Sequence, residues 1–261
     1  MKKVKLTLSY DGTRYGGWQR QKDGKPTVQG EIEKALQKIL SNSKIRICGS
    51  GRTDSGVHAY AQVAHCWVPD SVDSVPLVRG LNGLMPKDIS VKSAYIVNDE
   101  FHAIASSEKK TYQYKIYNSP TPFALSTKYK LWVRKPLDID KLNEMSKVFV
   151  GTHDFKSFMT SGSPVPSTTR TVYKAQWVKS EADSGDLSFF VAGNGFLKQM
   201  VRNLVGTLLH LHNKGLGKTE LLDILAAKDR RKAHVSAPAH GLYLMEVQYP
   251  KEISKPLKIL N

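Results

Sequence analysis

Apolar and polar residues alternate from Val4 through Leu6 and Leu8 to Tyr10, the period of a strand with one buried face. After a Gly-rich stretch the period lengthens. Val28, Ile32, Ala35, Leu36, Ile39 and Leu40 recur at helical spacing behind Thr27, a residue type that caps helix N-termini. Further strands are predicted at 45–48, 62–68 and 89–97, with a short helix from Leu77 to Leu84 stopped by Pro86. The order then resembles itself: strands at 111–117 and 129–133 precede a helix near 139–149. Beyond a loop rich in Ser, Thr and Pro at 160–169, strands at 171–178 and 187–191 lead to a helix over 196–212. A helix at 219–227 and a closing strand at 242–249 complete the chain. This is not the regular alternation of a doubly wound parallel sheet, so the expected fold class is α+β with largely antiparallel strands. Two related halves are expected, residues 1–105 and 106–261.

With 261 residues, 40% of them hydrophobic, the chain can bury a core without disulfides. Its formal net charge of +16 favours polyanionic partners, nucleic acid ahead of an anionic membrane surface. Cys48 and Cys66 are the two cysteines, each in an apolar segment and in no metal-ligand spacing, and read as buried thiols. His58, His65, His102 and His153 are spread over separate segments, so no metal site is expected. The N-terminus alternates instead of running apolar, and no apolar stretch reaches membrane-spanning length. A cytoplasmic protein without membrane contact is expected.

The densest chemical signal is the polar loop Gly49-Ser50-Gly51-Arg52-Thr53-Asp54-Ser55-Gly56-Val57-His58-Ala59 between two apolar strands. Its glycines permit tight turns, Arg52 offers a fork suited to phosphate or a base face, and Asp54 sits among them. On residue types alone, a turn closed by an Asx hydrogen bond explains it equally well. The same caution holds elsewhere. Periodicity reads Arg202 as a surface arginine beside the apolar stripe Leu197, Val201, Leu204, Leu208 and Leu211. Tyr112 in its alternating run reads as a sheet aromatic, and Leu244 as core.

The letters go further than the types. Gly51-Arg52-Thr53-Asp54 followed by Ser55-Gly56-Val57-His58 resembles the signature of the tRNA pseudouridine synthase A family. Tyr10-Asp11-Gly12-Thr13 through Gly17-Trp18-Gln19-Arg20-Gln21, then Thr27-Val28-Gln29-Gly30, are similar to its N-terminal motifs. Phe101-His102-Ala103, Tyr112-Gln113-Tyr114, Gly151-Thr152-His153-Asp154-Phe155, the run from Phe196 to Gly206, Ala226 to Arg230 and Gly241 to Leu244 continue the pattern in order. One departure stands out: the family often carries Arg after Phe-His-Ala, and Ile104 stands there.

The resemblance implies a pseudouridine synthase fold, two α+β halves around a central, mostly antiparallel sheet with an active-site cleft between them. It implies isomerisation of uridine in the tRNA anticodon arm, at about positions 38, 39 and 40, with the target base flipped out. A homodimer and the absence of any cofactor or metal follow from it. Asp54 becomes the reacting carboxylate, as nucleophile or as base at C2′. Arg202 becomes its ion-pair partner, and Tyr112 the ring that stacks on the base and can assist proton transfer. Arg52 and Leu244 become substrate contacts. The basic run Lys228, Arg230, Arg231 and Lys232 is a candidate track for the RNA backbone, against its default as a solvated surface. A non-catalytic RNA-binding module would need the basic surface but not Asp54, Arg202 and Tyr112. A metal-dependent nuclease would need clustered carboxylates or histidines that the loop lacks.

Overall fold

The computed structural model describes all residues except 163, 164, 182–184 and 261, so part of the Ser/Thr/Pro-rich loop lies outside it. In chain order the elements are β1 (Lys2–Tyr10), α1 (Val28–Ile39), β2 (Cys48–Gly49), β3 (His58–Val68), α2 (Leu77–Leu84), β4 (Ile89–Val97), β5 (Lys109–Asn118) and β6 (Leu131–Val133). They continue with α3 (Ile139–Ser146), β7 (Gly151–Asp154), β8 (Thr169–Lys179), β9 (Asp186–Gly193), α4 (Met200–Asn213), α5 (Lys218–Ala227), β10 (Leu242–Gln248), α6 (Lys251–Ser254) and β11 (Lys258–Ile259). The mixed composition and antiparallel pairings make this the α+β class read from the sequence. Two compact units emerge: Met1–Lys109 with Leu244–Asn261, and Lys110–Tyr243. The break expected after residue 105 thus falls at 109/110. The C-terminal stretch rejoins the first unit, which a division into two consecutive halves does not describe.

In the first unit β1 is central, antiparallel to β3 (Leu6 opposite Ala64) and to β4 (Leu6 opposite Ala94). Val4, Leu6 and Leu8 are fully buried, as their alternation requires. β11 extends the sheet beyond β4, and β10 lies next to β3. The returning C-terminus is held by side chains as well as strands: Tyr249 donates to the Ala103 carbonyl at 2.8 Å, and Val247, Tyr249 and Ile253 pack on Val63, Val97 and Phe101. α1 starts where the N-cap predicts, with Thr27 Oγ1 accepting from Gly30 N–H. The strand expected at 45–48 shrinks to Cys48–Gly49. The Ile47 N–H donates to Glu33 Oε1 and its carbonyl accepts from Gln29, so that backbone is tied to α1 instead of a ladder.

In the second unit β5 is antiparallel to β9 (Tyr114 opposite Phe189) and parallel to the short β6, while β8 pairs with both β9 and β7. The Trp177 and Phe189 rings pack at 5.1 Å, tilted by 40°, and Asn143 of α3 brackets the Trp177 backbone with hydrogen bonds to its carbonyl and from its N–H. β7 escapes prediction because Gly151-Thr152-His153-Asp154 has no apolar alternation. The helix read as 196–212 starts at Met200, since Gln199 adopts a left-handed backbone (φ 59°) that ends regular geometry on its N-terminal side.

α4 buries Leu204, Leu208 and Leu211 and accepts the segment 233–238 along its flank. Ala237 N–H donates to the Arg202 carbonyl, and His234 N–H to Thr207 Oγ1. Gly206 makes this approach possible: a Cβ there would stand 2.0 Å from the Val235 carbonyl oxygen. Helix propensity alone favours Ala over Gly by about 1 kcal/mol. The backbone collision outweighs it, so Gly206→Ala is expected to destabilise the protein by about 1–3 kcal/mol. A urea titration should show a lower midpoint with an unchanged slope; an unchanged midpoint would mean that segment 233–238 is free to move away.

Candidate active site

The loop from Gly49 to Ala59 joins β2 to β3, and several of its polar groups hold it in place. Gln62 of β3 has no exposed surface. Its Oε1 accepts from Ser50 Oγ at 2.7 Å, and its Nε2 donates to the Gly51 carbonyl at 2.8 Å and to the Tyr10 hydroxyl at 3.4 Å. Tyr10 in turn shares a 2.8 Å hydroxyl–hydroxyl bond with Thr53, the residue before Asp54. Burial pushes the Tyr10 phenol up to about 12, so it acts as a neutral structural group. On the far side of Asp54 a turn closes through Val57 N–H donating to the Asp54 carbonyl. Thr53 and Val57 are buried, Asp54 is half-buried, and Arg52 is exposed.

The N-terminal motif is the floor of this loop. Trp18 N–H donates to the Thr53 carbonyl, Ser55 Oγ to the Tyr15 carbonyl, and Gly12 N–H to His58 Nδ1, which also lies 3.1 Å from Asp11 Oδ1. At Gly17 both reasons for glycine coincide: φ is +105°, and a Cβ would meet the Thr53 carbonyl at 2.6 Å. Gln29 ties the motif to α1 by accepting from Arg20 N–H and Gln19 Nε2. Gln62, Tyr10 and Thr53 hold the loop in place, which residue types alone did not single out; the available signal was that Tyr10 and Gln62 stand in segments predicted as strands, where a buried polar group needs a partner inside the protein.

In the second unit, Tyr112 is nearly buried on β5 opposite Val191, with the Phe196 ring meeting it edge-on at 5.2 Å. Arg202 is half-buried on α4, and its Nε donates to the Ala237 carbonyl at 2.7 Å. One residue further on, Tyr114 donates to the Pro238 carbonyl at 2.8 Å, and Tyr114 is fully buried, as read from its strand position. Burial raises its phenol and the charge of Arg202 opposes that shift. Asn203, the neighbour of Arg202, anchors the helix: its Nδ2 donates to the Phe158 carbonyl, and its Oδ1 accepts from Arg230 and Ser236. Leu244 is fully buried in β10, the position of a core residue.

The basic run is less available than its letters imply. Arg230 is spent on Asn203 and the Ala233 carbonyl, Arg231 forks onto Asp229, and Lys228 lies 3.4 Å from Asp154. Cys48 and Cys66 are free, and burial raises both thiols.

Ligand atoms of Cys48, His65 and His102 come within 4.8 Å of one another. The protons are arranged against a cation, however. His65 Nδ1 accepts from Ala103 N–H, and His102 Nδ1 accepts from Ile104 and Ala105 N–H. A neutral ring that accepts at Nδ1 carries its hydrogen on Nε2, whereas metal-binding histidines donate their second nitrogen to an acceptor. The trio is a packing cluster, with the two rings 4.7 Å apart and Phe101 edge-on to His65.

The tRNA pseudouridine synthase family profile matches residues 7–104 and 145–250, passing over the stretch that contains Tyr112. A Bdellovibrio bacteriovorus protein named tRNA pseudouridine synthase A is 48% identical over 255 residues, covering 96% of each chain. A Bacillus subtilis protein of the same name is 43% identical, covering 95% of this chain and 99% of its own.

His65 supplies a pH test of the loop's surroundings. Burial first, then the proximity of His102 and Lys3, brings its imidazole down to about 4. The unfolded chain therefore binds the proton first as pH falls from about 6.5, and stability drops between there and about 4 by at most about 3 kcal/mol. His65→Asn keeps an acceptor for Ala103 N–H but cannot titrate. Urea midpoints measured from pH 7 to pH 4.5 should fall less steeply for the variant; parallel profiles would show that folding leaves the titration of His65 unshifted.

Proposed function

This chain belongs to the tRNA pseudouridine synthase family, and on that premise we propose that Asp54 is the carboxylate with which it isomerises uridine to pseudouridine in tRNA. The proposed targets lie in the anticodon arm, at about positions 38, 39 and 40, where the base is flipped out of its stack. The reaction breaks the C1′–N1 bond and forms a C5–C1′ bond; C5 loses a proton and N1 gains one, so the product is an isomer. Nothing in that balance requires an electron carrier, a metal or a group donor.

The observation that best supports Asp54 is the contrast within its loop. Ser50, Thr53 and His58 are buried and hydrogen-bonded in place, while the Asp54 side chain stays partly exposed. A preorganised backbone with one accessible carboxylate suits either attack at C1′ or proton removal at C2′ to give a glycal. Arg202 is assigned by resemblance as the ion-pair partner of Asp54, and its Nε donates to the Ala237 carbonyl. Tyr112 is assigned to stack on the base, with Phe196 bracing its ring. Arg52, exposed two residues before Asp54, and Leu244, buried in β10, are the proposed substrate contacts. A homodimer in the cytoplasm completes the proposal. No helix among the described residues is long and apolar enough to cross a membrane. Exposed Phe123 and Leu125 offer apolar surface for a second copy.

Asp54→Asn retains size and hydrogen-bond acceptance but removes the anion. It should bind tRNA within about threefold of wild type and lose pseudouridine formation by at least about 10³-fold, read as release of label from C5 of uridine. Turnover near wild type in folded Asp54→Asn refutes the assignment, and lost binding would make Asp54 a loop-organising residue. Tyr112→Phe should keep binding while slowing single turnovers; Tyr112→Ala should weaken binding as well, by about 1–3 kcal/mol if stacking is lost. Full activity in Tyr112→Ala would remove it from the site.

A further inference from the structure

β5 buries every second residue: Lys110, Tyr112, Tyr114 and Ile116 share the inward face. Lys110 is out of place in that series. Its side chain is only 8% exposed, and among the described residues its ammonium has neither a carboxylate nor a carbonyl within bonding distance. The one charge acting on it is of the same sign. Burial, then the guanidinium of Arg170, bring its amine down to about 8. Burial also lowers Arg170 itself. Arg170 Nη1 donates to the carbonyls of Ser167 (2.9 Å) and Thr169 (2.6 Å), fixing the guanidinium without neutralising it.

The register brings the two cations to the same end of the sheet. Lys110 lies opposite Gly193 of β9, and Gly193 lies opposite Val172 of β8, two residues from Arg170. The Arg170 side chain then covers Gly195, with Nε 3.6 Å from where a Cβ would stand. The next residue, Phe196, is the ring that braces Tyr112. Lys110, Arg170 and Tyr112 thus border one end of the second unit's sheet.

A largely buried lysine that feels the charge of a guanidinium and no counter-charge holds its cation at a cost in the free protein. The pair's chemistry suits a tetrahedral anion: a point charge on one side, a planar fork on the other. We propose that Lys110 and Arg170 together bind a backbone phosphodiester of the RNA substrate, the one adjoining the nucleotide whose base stacks on Tyr112. This rests on the reading of Tyr112 given above and adds a phosphate site to it.

Lys110→Met keeps the apolar stem and deletes the charge. The variant should melt at or above the wild-type temperature, because an unpaired buried charge is gone. It should bind tRNA about tenfold more weakly, with a salt dependence reduced by about one phosphate contact, and Lys110→Arg should recover most of the affinity. The decisive substrate is a tRNA carrying one uncharged methylphosphonate beside the converted uridine, placed 5′ in one preparation and 3′ in another. One of the two should bind wild type about tenfold more weakly than unmodified tRNA, yet bind Lys110→Met no more weakly than unmodified tRNA does. Full wild-type affinity for both modified RNAs overturns the proposal, as does an equal loss in wild type and variant. If Lys110→Met does not fold, Arg170→Gln takes its place in the same comparison. Pseudouridine formation by wild type on unmodified tRNA, followed in parallel, separates the two ideas: its absence defeats the proposed reaction, whereas phosphate coupling is read from binding alone.

Discussion

A buried amide with nowhere to turn for water sets the geometry of the first unit. Gln62 can be accommodated only if its oxygen and nitrogen find partners inside the protein, and each stranded polar atom would cost about 1–3 kcal/mol. Those partners come from Ser50, from the Gly51 carbonyl and from Tyr10 on β1. One side chain therefore fastens the start of the loop to two strands at once, and Tyr10 passes the restraint on to Thr53. Asp54 follows in the chain with its backbone already placed. The proposed reactive position is held by groups with no proposed part in the chemistry, and loosening any of them would act at a distance through the loop.

The strands and helices with clean periodicity were readable from the chain: the alternation of Val4, Leu6 and Leu8 and the stripe of α1 both follow from burial of one face. What stayed hidden depended on contacts between distant residues. The segment at 45–48 has strand-like letters, but Glu33 and Gln29 capture its backbone. β7 has no apolar pattern at all, and α4 begins late because of a single left-handed residue. Of the proposed site residues, Asp54 and Tyr112 were visible as letters within motifs. The supporting roles of Gln62, Thr53 and Asn203 were not, because each depends on a hydrogen bond spanning many residues.

Charge illustrates the same distinction between inventory and arrangement. A net +16 describes the field far from the protein, yet cations close to one another differ greatly in availability. Arg231 is neutralised by Asp229, and Arg230 is consumed in holding α4. Lys110, an unremarkable letter in the pair Lys109-Lys110, ends up almost enclosed and facing another cation. Basic runs on a surface are the conspicuous feature of such a sequence, but desolvation singles out the isolated residue in a strand.

The return of the chain's end to its beginning has a consequence for how the protein is made. The second unit, Lys110–Tyr243, is one uninterrupted stretch, whereas the first needs residues from both ends. On a ribosome adding about 5–20 residues per second, β1, β3 and β4 emerge first and then wait on the order of ten seconds while the rest is synthesised. Throughout that interval the edge of β4 lacks β11, and Phe101 lacks the cover of Tyr249. Birth order and folding order are therefore different in this protein: the part translated first is the part completed last, and its unfinished sheet edge is the place where a nascent chain would need shielding from its neighbours.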